Sequence, residues 1–157
     1  MSDLERTTKP VGSQESPSAA GCTRMRGRSG PRRGRVLVMD DDALVREAAT
    51  ASLQELGYAA EGAPDGLTAV ALYEKALGTE ASFDVVLVDL TVHGGLGGEA
   101  TLRALREIDP RVKVVVASGY GNDPVVECYA EHGFSGALTK PYRLSELERL
   151  LSRLIAV

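Results

Sequence analysis

Four apolar runs in this chain each stop on a residue suited to handling charge. Val36-Leu37-Val38-Met39 runs into Asp40-Asp41-Asp42, and Val85-Val86-Leu87-Val88 into Asp89. Val114-Val115-Val116-Ala117 runs into Ser118, and Ala137-Leu138 into Thr139-Lys140-Pro141. Short, wholly apolar runs read as buried parallel strands with helices on both faces. In an open α/β sheet, sites form beyond the carboxyl ends of the strands. Such a sheet gathers carboxylates, a hydroxyl and an amine along one edge.

The stretches between these runs carry helix signals, so strand and helix alternate from Arg35 onward. Strands are predicted at 35–39, 58–62, 84–88, 113–117 and 136–139, and helices at 43–56, 66–76, 98–108, 124–131 and 145–155. The first helix has Val45, Ala49, Leu53 and Leu56 on one stripe and Gly57 as its stop. Asp65 is placed to cap the second helix. Asp109-Pro110 closes the third, because a residue before proline avoids the helical region. Asp123-Pro124 opens the fourth with a cap and a first-turn proline. Ser145-Glu146-Leu147-Glu148 reads as a capping box for the fifth. Five strands joined by right-handed crossovers predict an α/β, flavodoxin-like doubly wound parallel sheet of order 2-1-3-4-5 with five helices. Its switch point falls between the strands that end in Asp40-Asp41 and Asp89.

A length of 157 residues accommodates one domain with a real core. No apolar run reaches the roughly 20 residues of a membrane span, and the N-terminus lacks a signal-peptide stretch, which predicts a cytoplasmic protein. Cys22 and Cys128 have no metal-type spacing and read as free thiols; His93 and His132 form no metal or triad pattern. Residues 1–34 hold seven Lys/Arg and three acids, a net +4, so residues 35–157 carry −8 of the chain's −4. An acidic domain repels a phosphate backbone, which argues against general nucleic-acid binding. The leader 1–34, rich in Ser, Gly, Pro and Arg, cannot bury enough surface to offset ordering and is predicted to be a disordered basic tail. A weak role for Arg24–Arg35 on nucleic acid or an acidic partner stays open beside its reading as a solvated leader or the remnant of a larger protein.

Three carboxylates converging after the first and third strands repel one another, and a divalent cation relieves that repulsion. An all-oxygen donor set suits Mg²⁺, which takes one or two carboxylates and keeps several waters. The plain alternative is that Asp40, Asp41 and Asp42 only cap the first helix. Asp42 suits that role, and two further acids exceed it. Asp89 is a competent nucleophile toward phosphorus. Lys140 is a point cation for phosphoryl oxygens, or an exposed surface lysine; Ser118 is a hydrogen-bond donor, or a turn residue.

In this order and at these strand ends, Asp40-Asp41, Asp89, Ser118 and Lys140-Pro141 resemble the receiver domain of two-component response regulators, with residues 35–157 as the whole domain. The stretch around Asp89 to Gly98, with Ser118-Gly119-Tyr120 and Lys140-Pro141-Tyr142, is most similar to receivers fused to hybrid histidine kinases. The resemblance implies that Asp89 is the phosphoacceptor, taking a phosphoryl group from a phosphohistidine of a sensor kinase or phosphotransfer protein. It implies Mg²⁺ as cofactor, held by Asp41 and Asp89 directly, by Asp40 through water and by the backbone carbonyl of Thr91. Ser118 stands at the family's hydroxyl position, Lys140 is the phosphate-binding lysine, and the Lys140-Pro141 bond is expected to be cis. The chain is then a signalling module acting on a protein partner, not an enzyme beyond slow self-dephosphorylation, with no kinase or output domain.

Two positions depart from the family pattern. Ala137 replaces the Tyr or Phe three residues before the lysine, so an aromatic gate there is ruled out and a loop or helix movement must report the signal. His93 replaces a common proline and precedes the glycine-rich run that ends at Gly98. Three rival readings stand beside the main one. A haloacid-dehalogenase-like phosphatase needs a second aspartate where the chain has Thr91. A degenerate receiver binds partners without phosphorylation. A nucleic-acid tether acts through the basic tail.

Overall fold

The computed structural model describes residues 33–92, 95–119 and 122–155. The chain alternates β1 (Arg35–Met39), α1 (Ala43–Glu55), β2 (Ala59–Ala63), α2 (Gly66–Ala76), β3 (Val85–Asp89), α3 (Gly98–Ile108), β4 (Val114–Ser118), α4 (Pro124–Glu127), β5 (Gly136–Thr139) and α5 (Leu144–Ile155). The strands form one sheet of order β2-β1-β3-β4-β5, and every neighbouring pair is parallel. The predicted doubly wound sheet is the observed one.

The core follows from the two-residue period of the strands. Leu37, Met39, Val86, Val88, Val114 and Val116 face one way, against Ala69 and Tyr73 of α2, Leu102 and Leu105 of α3, and Val125 of α4. Val36, Val38, Val85, Leu87, Val115 and Ala117 face the other way, against Ala49 and Leu53 of α1 and Leu147, Leu150 and Leu151 of α5. Both faces of β1, β3 and β4 are covered, which is why those strands read as unbroken apolar runs and not as alternating ones. β2, at the edge, is mostly half-buried.

Local signals act largely as read. Asp42 Oδ1 accepts from the N–H groups of Leu44 (2.9 Å) and Val45 (3.3 Å), and Asp65 Oδ1 from Thr68 N–H at 2.8 Å. Gly57, just past the α1 cap at Leu56, has φ +98°, a left-handed conformation that a side chain would strain.

Several boundaries differ. β2, β3 and β4 each run one residue later than expected, because the ladders continue to Met39↔Ala63, Asp89↔Ala117 and Ser118↔Thr139. Asp89 and Ser118 are therefore the last paired residues of their strands, held in the ladder instead of lying past it. α4, expected to reach residue 131, is a single turn ending at Glu127, with Cys128 outside helical geometry. Only Val125 is buried on it; beyond Cys128 the chain continues in hydrogen-bonded turns, with Tyr129 half-buried against the core and exposed His132, then Gly133, closing the stripe. α5 begins one residue early. The Ser145–Glu148 box is not made: Ser145 lies inside the first turn, Glu148 pairs with Arg33, and the Glu146 carboxylate instead accepts from Arg143 N–H (3.3 Å).

The leader expected over 1–34 lies outside the described residues except at its end. There Arg33 and Gly34 are packed. The Arg33 guanidinium donates to Leu56 O (3.1 Å), Glu148 (2.9 Å) and Ser152 Oγ (3.0 Å), and Ala59 N–H donates to Gly34 O (2.9 Å). The ordered domain therefore reaches back at least to Arg33. Among the described residues no helix is long and apolar enough to cross a membrane.

Candidate functional site

β1 and β3 lie side by side at the switch point, and their carboxyl ends bring Asp40, Asp41 and Asp89 together. One carboxylate oxygen from each lies within 4.8 Å of the others. Asp40 is buried, Asp89 half-buried and Asp41 exposed. The three acids share an open cleft of about 410 Å³ with Asp42, Val45, Thr91 and Lys140.

Lys140 enters from the end of β5. Its Nζ lies 2.7 Å from Asp40 Oδ2 and 3.4 Å from Asp89 Oδ1. The Lys140-Pro141 bond is cis, as expected. Ser118, at the end of β4, is buried, and its carbonyl accepts from Lys140 N–H at 2.7 Å. The main chain thus ties Ser118 to the lysine, while Ser118 is not among the residues that line the cleft. Thr91 lines it, and its backbone N–H donates to the Asp89 carboxylate. His93 lies outside the described residues. Ala137 is half-buried in β5.

Electrostatics follow from this crowding. Burial raises the Asp89 carboxyl above its ordinary range; Lys140 pulls it back down, and the charge of Asp40 adds to the rise. Burial alone lowers the proton affinity of Lys140, but its hydrogen bond to Asp40 and the charge of Asp89 outweigh that, and the net direction is upward. Lys140 therefore stays a cation between two carboxylates. The phenol of Tyr142 beside them is raised chiefly by burial.

The donor set is entirely oxygen, and three acids face one lysine, so negative charge is in excess. That composition fits a hard divalent cation such as Mg²⁺, with Asp40, Asp41 and Asp89 as the carboxylates available to hold it.

Sequence reading missed one neighbour of this site and the surroundings of another. Arg46 Nη1 donates to the Asp40 carbonyl at 2.7 Å. Tyr142 borders a second, apolar groove of about 450 Å³, with Val45, Ala48, Ala49, Ser52, Lys140 and Pro141. The groove shares Val45 and Lys140 with the acidic cleft. No motif marks Arg46; the sequence marks Tyr142 only as part of Lys140-Pro141-Tyr142, and its groove joins α1 to the end of β5, which only the fold brings together.

Residues 36–152 match the family model of the response regulator receiver domain. The chain belongs to that family. It is 31% identical over 120 residues to the sensor kinase CckA of Brucella abortus, across 76% of this chain and 12% of that protein. It is 28% identical over 120 residues to the chemotaxis protein CheY of Thermotoga maritima, across 76% of this chain and 95% of that one. It spans only 12% to 20% of the length of CckA and of three SKN7 transcription factors that it matches. Among solved structures, the receiver domain of the Pseudomonas aeruginosa sensor histidine kinase PA1611, with magnesium coordinated in its active-site cleft, superposes with a TM-score of 0.68. That pair is 25% identical and covers 79% of this chain and 98% of the other. Receivers of hybrid kinases and a stand-alone receiver are thus both among this domain's relatives, and it is a module of two-component phosphorelay signalling.

Proposed function

We propose that this receiver accepts a phosphoryl group on Asp89 from a phosphohistidine and, once modified, changes its affinity for a protein partner. The observation that carries the reading is the convergence of three carboxylates and one lysine at the switch point, with the lysine paired to buried Asp40 and half-buried Asp89. In the transfer, an Asp89 oxygen attacks phosphorus, the phosphorus–nitrogen bond of the donor breaks, and the imidazole leaves with the electron pair. Lys140 exchanges its contact with Asp89 for the incoming phosphoryl oxygens. Ser118 donates to one of those oxygens, which requires its hydroxyl to turn or its strand end to shift toward the cleft. Asp41, Asp89 and the Thr91 carbonyl, with Asp40 beside them, would hold Mg²⁺, and the ion would supply charge neutralisation.

The donor is a sensor kinase or phosphotransfer protein, and the site of action is the cytoplasm. The apolar groove along α1, continuous with the cleft through Val45 and Lys140, supports docking of a protein donor beside Asp89. The domain itself does no more than slow self-dephosphorylation. The −8 charge of residues 35–157 leaves only the basic leader as a weak contact for nucleic acid.

Incubation with Mg²⁺ and acetyl phosphate, followed by intact mass, tests the reading. Wild type gains one phosphoryl group and Asp89→Asn gains none. Equal gain by both proteins contradicts the assignment of Asp89.

A further inference from the structure

Asp40 is fixed at each of its polar atoms. Its N–H donates to Ala63 O (3.1 Å), Oδ1 accepts from Asp42 N–H (2.9 Å), and Oδ2 accepts from Lys140 Nζ (2.7 Å). The fourth tie, to its carbonyl, comes from Arg46, one turn into α1. That contact has an unusual requirement. To reach the Asp40 carbonyl, the Arg46 side chain crosses β2 at Gly62, where a Cβ would stand 2.9 Å from both Cγ and Cδ of Arg46. Real Cβ atoms essentially never come that close, so any side chain at 62 displaces the arginine. Gly62 pairs with Val38 in the β1–β2 ladder, which fixes the notch relative to the acidic turn.

We infer that Arg46 is a positioning residue for the metal pocket: seated in the Gly62 notch, it holds the turn that carries Asp40 and Asp41 in the shape that binds a divalent cation. The inference rests on the reading of the acidic cleft as a Mg²⁺ site. Simple electrostatics pushes the other way. A guanidinium beside an acidic pocket repels a cation, so deleting its charge should tighten Mg²⁺ binding. A positioning role predicts weaker binding. The sign of the change therefore separates the two effects.

The test is titration of Mg²⁺ into the metal-free domain by calorimetry, for wild type, Arg46→Met, Gly62→Ala and the double variant. Arg46→Met keeps an unbranched apolar stem over the notch and removes the donor; circular dichroism checks that each variant is folded. The expected result is a Mg²⁺ Kd raised about threefold to tenfold in each single variant, the size of one lost hydrogen bond. In the double variant Kd rises no further than in Arg46→Met, because Gly62→Ala acts only by moving Arg46. The plateau rate of phosphoryl uptake at saturating Mg²⁺ stays within about twofold of wild type, while the half-saturating Mg²⁺ rises with Kd. Unchanged or tighter binding by Arg46→Met overturns the inference, as does a double variant whose effect is the product of the singles. Wild type that binds no Mg²⁺ overturns the metal site itself and the inference with it.

Discussion

The two flanks of the sheet edge are built differently. On the β1–β3 flank, Asp40 is tied at four atoms, Asp42 caps a helix of 13 residues, and Asp89 lies within the ladder. On the β4–β5 flank, α4 is one turn of four residues, only Val125 on it is buried, and β5 carries Ala137 where the family pattern has an aromatic. The first flank is shaped to hold charges in place at short range. In the second, β4 is buried throughout and the packing thins only at α4; this flank adjoins the site through Lys140 and the buried Ser118. On the proposed reading the two do different jobs: the first flank, with Lys140, carries the chemistry, and the short α4 is where modification can change the surface at small cost.

Lys140 joins the two flanks, so removing it gives the largest effect. Lys140→Ala leaves Asp40 and Asp89 without their cation, yet it removes no metal ligand. Phosphoryl uptake from acetyl phosphate should slow by about tenfold to a hundredfold, the size of losing one electrostatic stabiliser, with Mg²⁺ binding retained. Retained rate with lost Mg²⁺ binding would invert the division of labour. Hydrogen exchange sharpens the comparison directly. Amides of 131–133, held by turn-type bonds past α4, should exchange at least about tenfold faster than those in the middle of α1. Equal protection would mean that the second flank is as rigid as the first.

A smaller effect concerns the strain that the chemistry imposes on the rigid flank. The Asp89 carboxyl is raised in the folded state, chiefly by burial. The folded domain then binds more protons than the unfolded chain between the ordinary carboxyl value and the raised one, so stability of the metal-free protein falls as pH rises through that window. Asp89→Asn removes this loss. Without Mg²⁺, its Tm should exceed that of wild type by a few degrees at neutral pH, with the pH-dependent part of the gap closing below the ordinary carboxyl range. A gap that does not change with pH would show that packing, not charge, sets it. The smallest effect is expected from Ala137→Tyr. The site lies on β5 outside the acidic cleft, so uptake should stay within about twofold in the same assay. A large loss would show that the two flanks are coupled through β5.

What the sequence made legible, and what it hid, divides along the same line. Strand order, helix positions on the first flank and the residues gathered at the edge were readable, because buried parallel strands leave unbroken apolar runs and each run ends on a polar residue at the sheet edge. Asp42 and Asp65 acted as caps because capping is local. The length of α4 was not readable: Asp123-Pro124 correctly marks its start, but past Cys128 the chain leaves helical geometry although Tyr129 still packs against the core. The one-residue extension of β3 and β4 was hidden for a related reason, since a strand ends where its neighbour stops pairing. Arg46, on α1, carries no motif, and its proposed role depends on a glycine sixteen positions away on β2. The packing of Arg33 was masked by the basic composition of the segment before it, although Arg33 itself meets Glu148 and the Tyr58 ring.

The most direct measurement is to locate the phosphoryl group chemically. Treating the acetyl-phosphate-modified protein with borohydride reduces an acyl phosphate to a primary alcohol, which converts a phosphorylated aspartate to homoserine; peptide sequencing by mass spectrometry then reads its position. The account predicts homoserine at position 89 alone, dependent on Mg²⁺. Homoserine at 40 or 41, or a phosphate that survives reduction on Ser118, contradicts it.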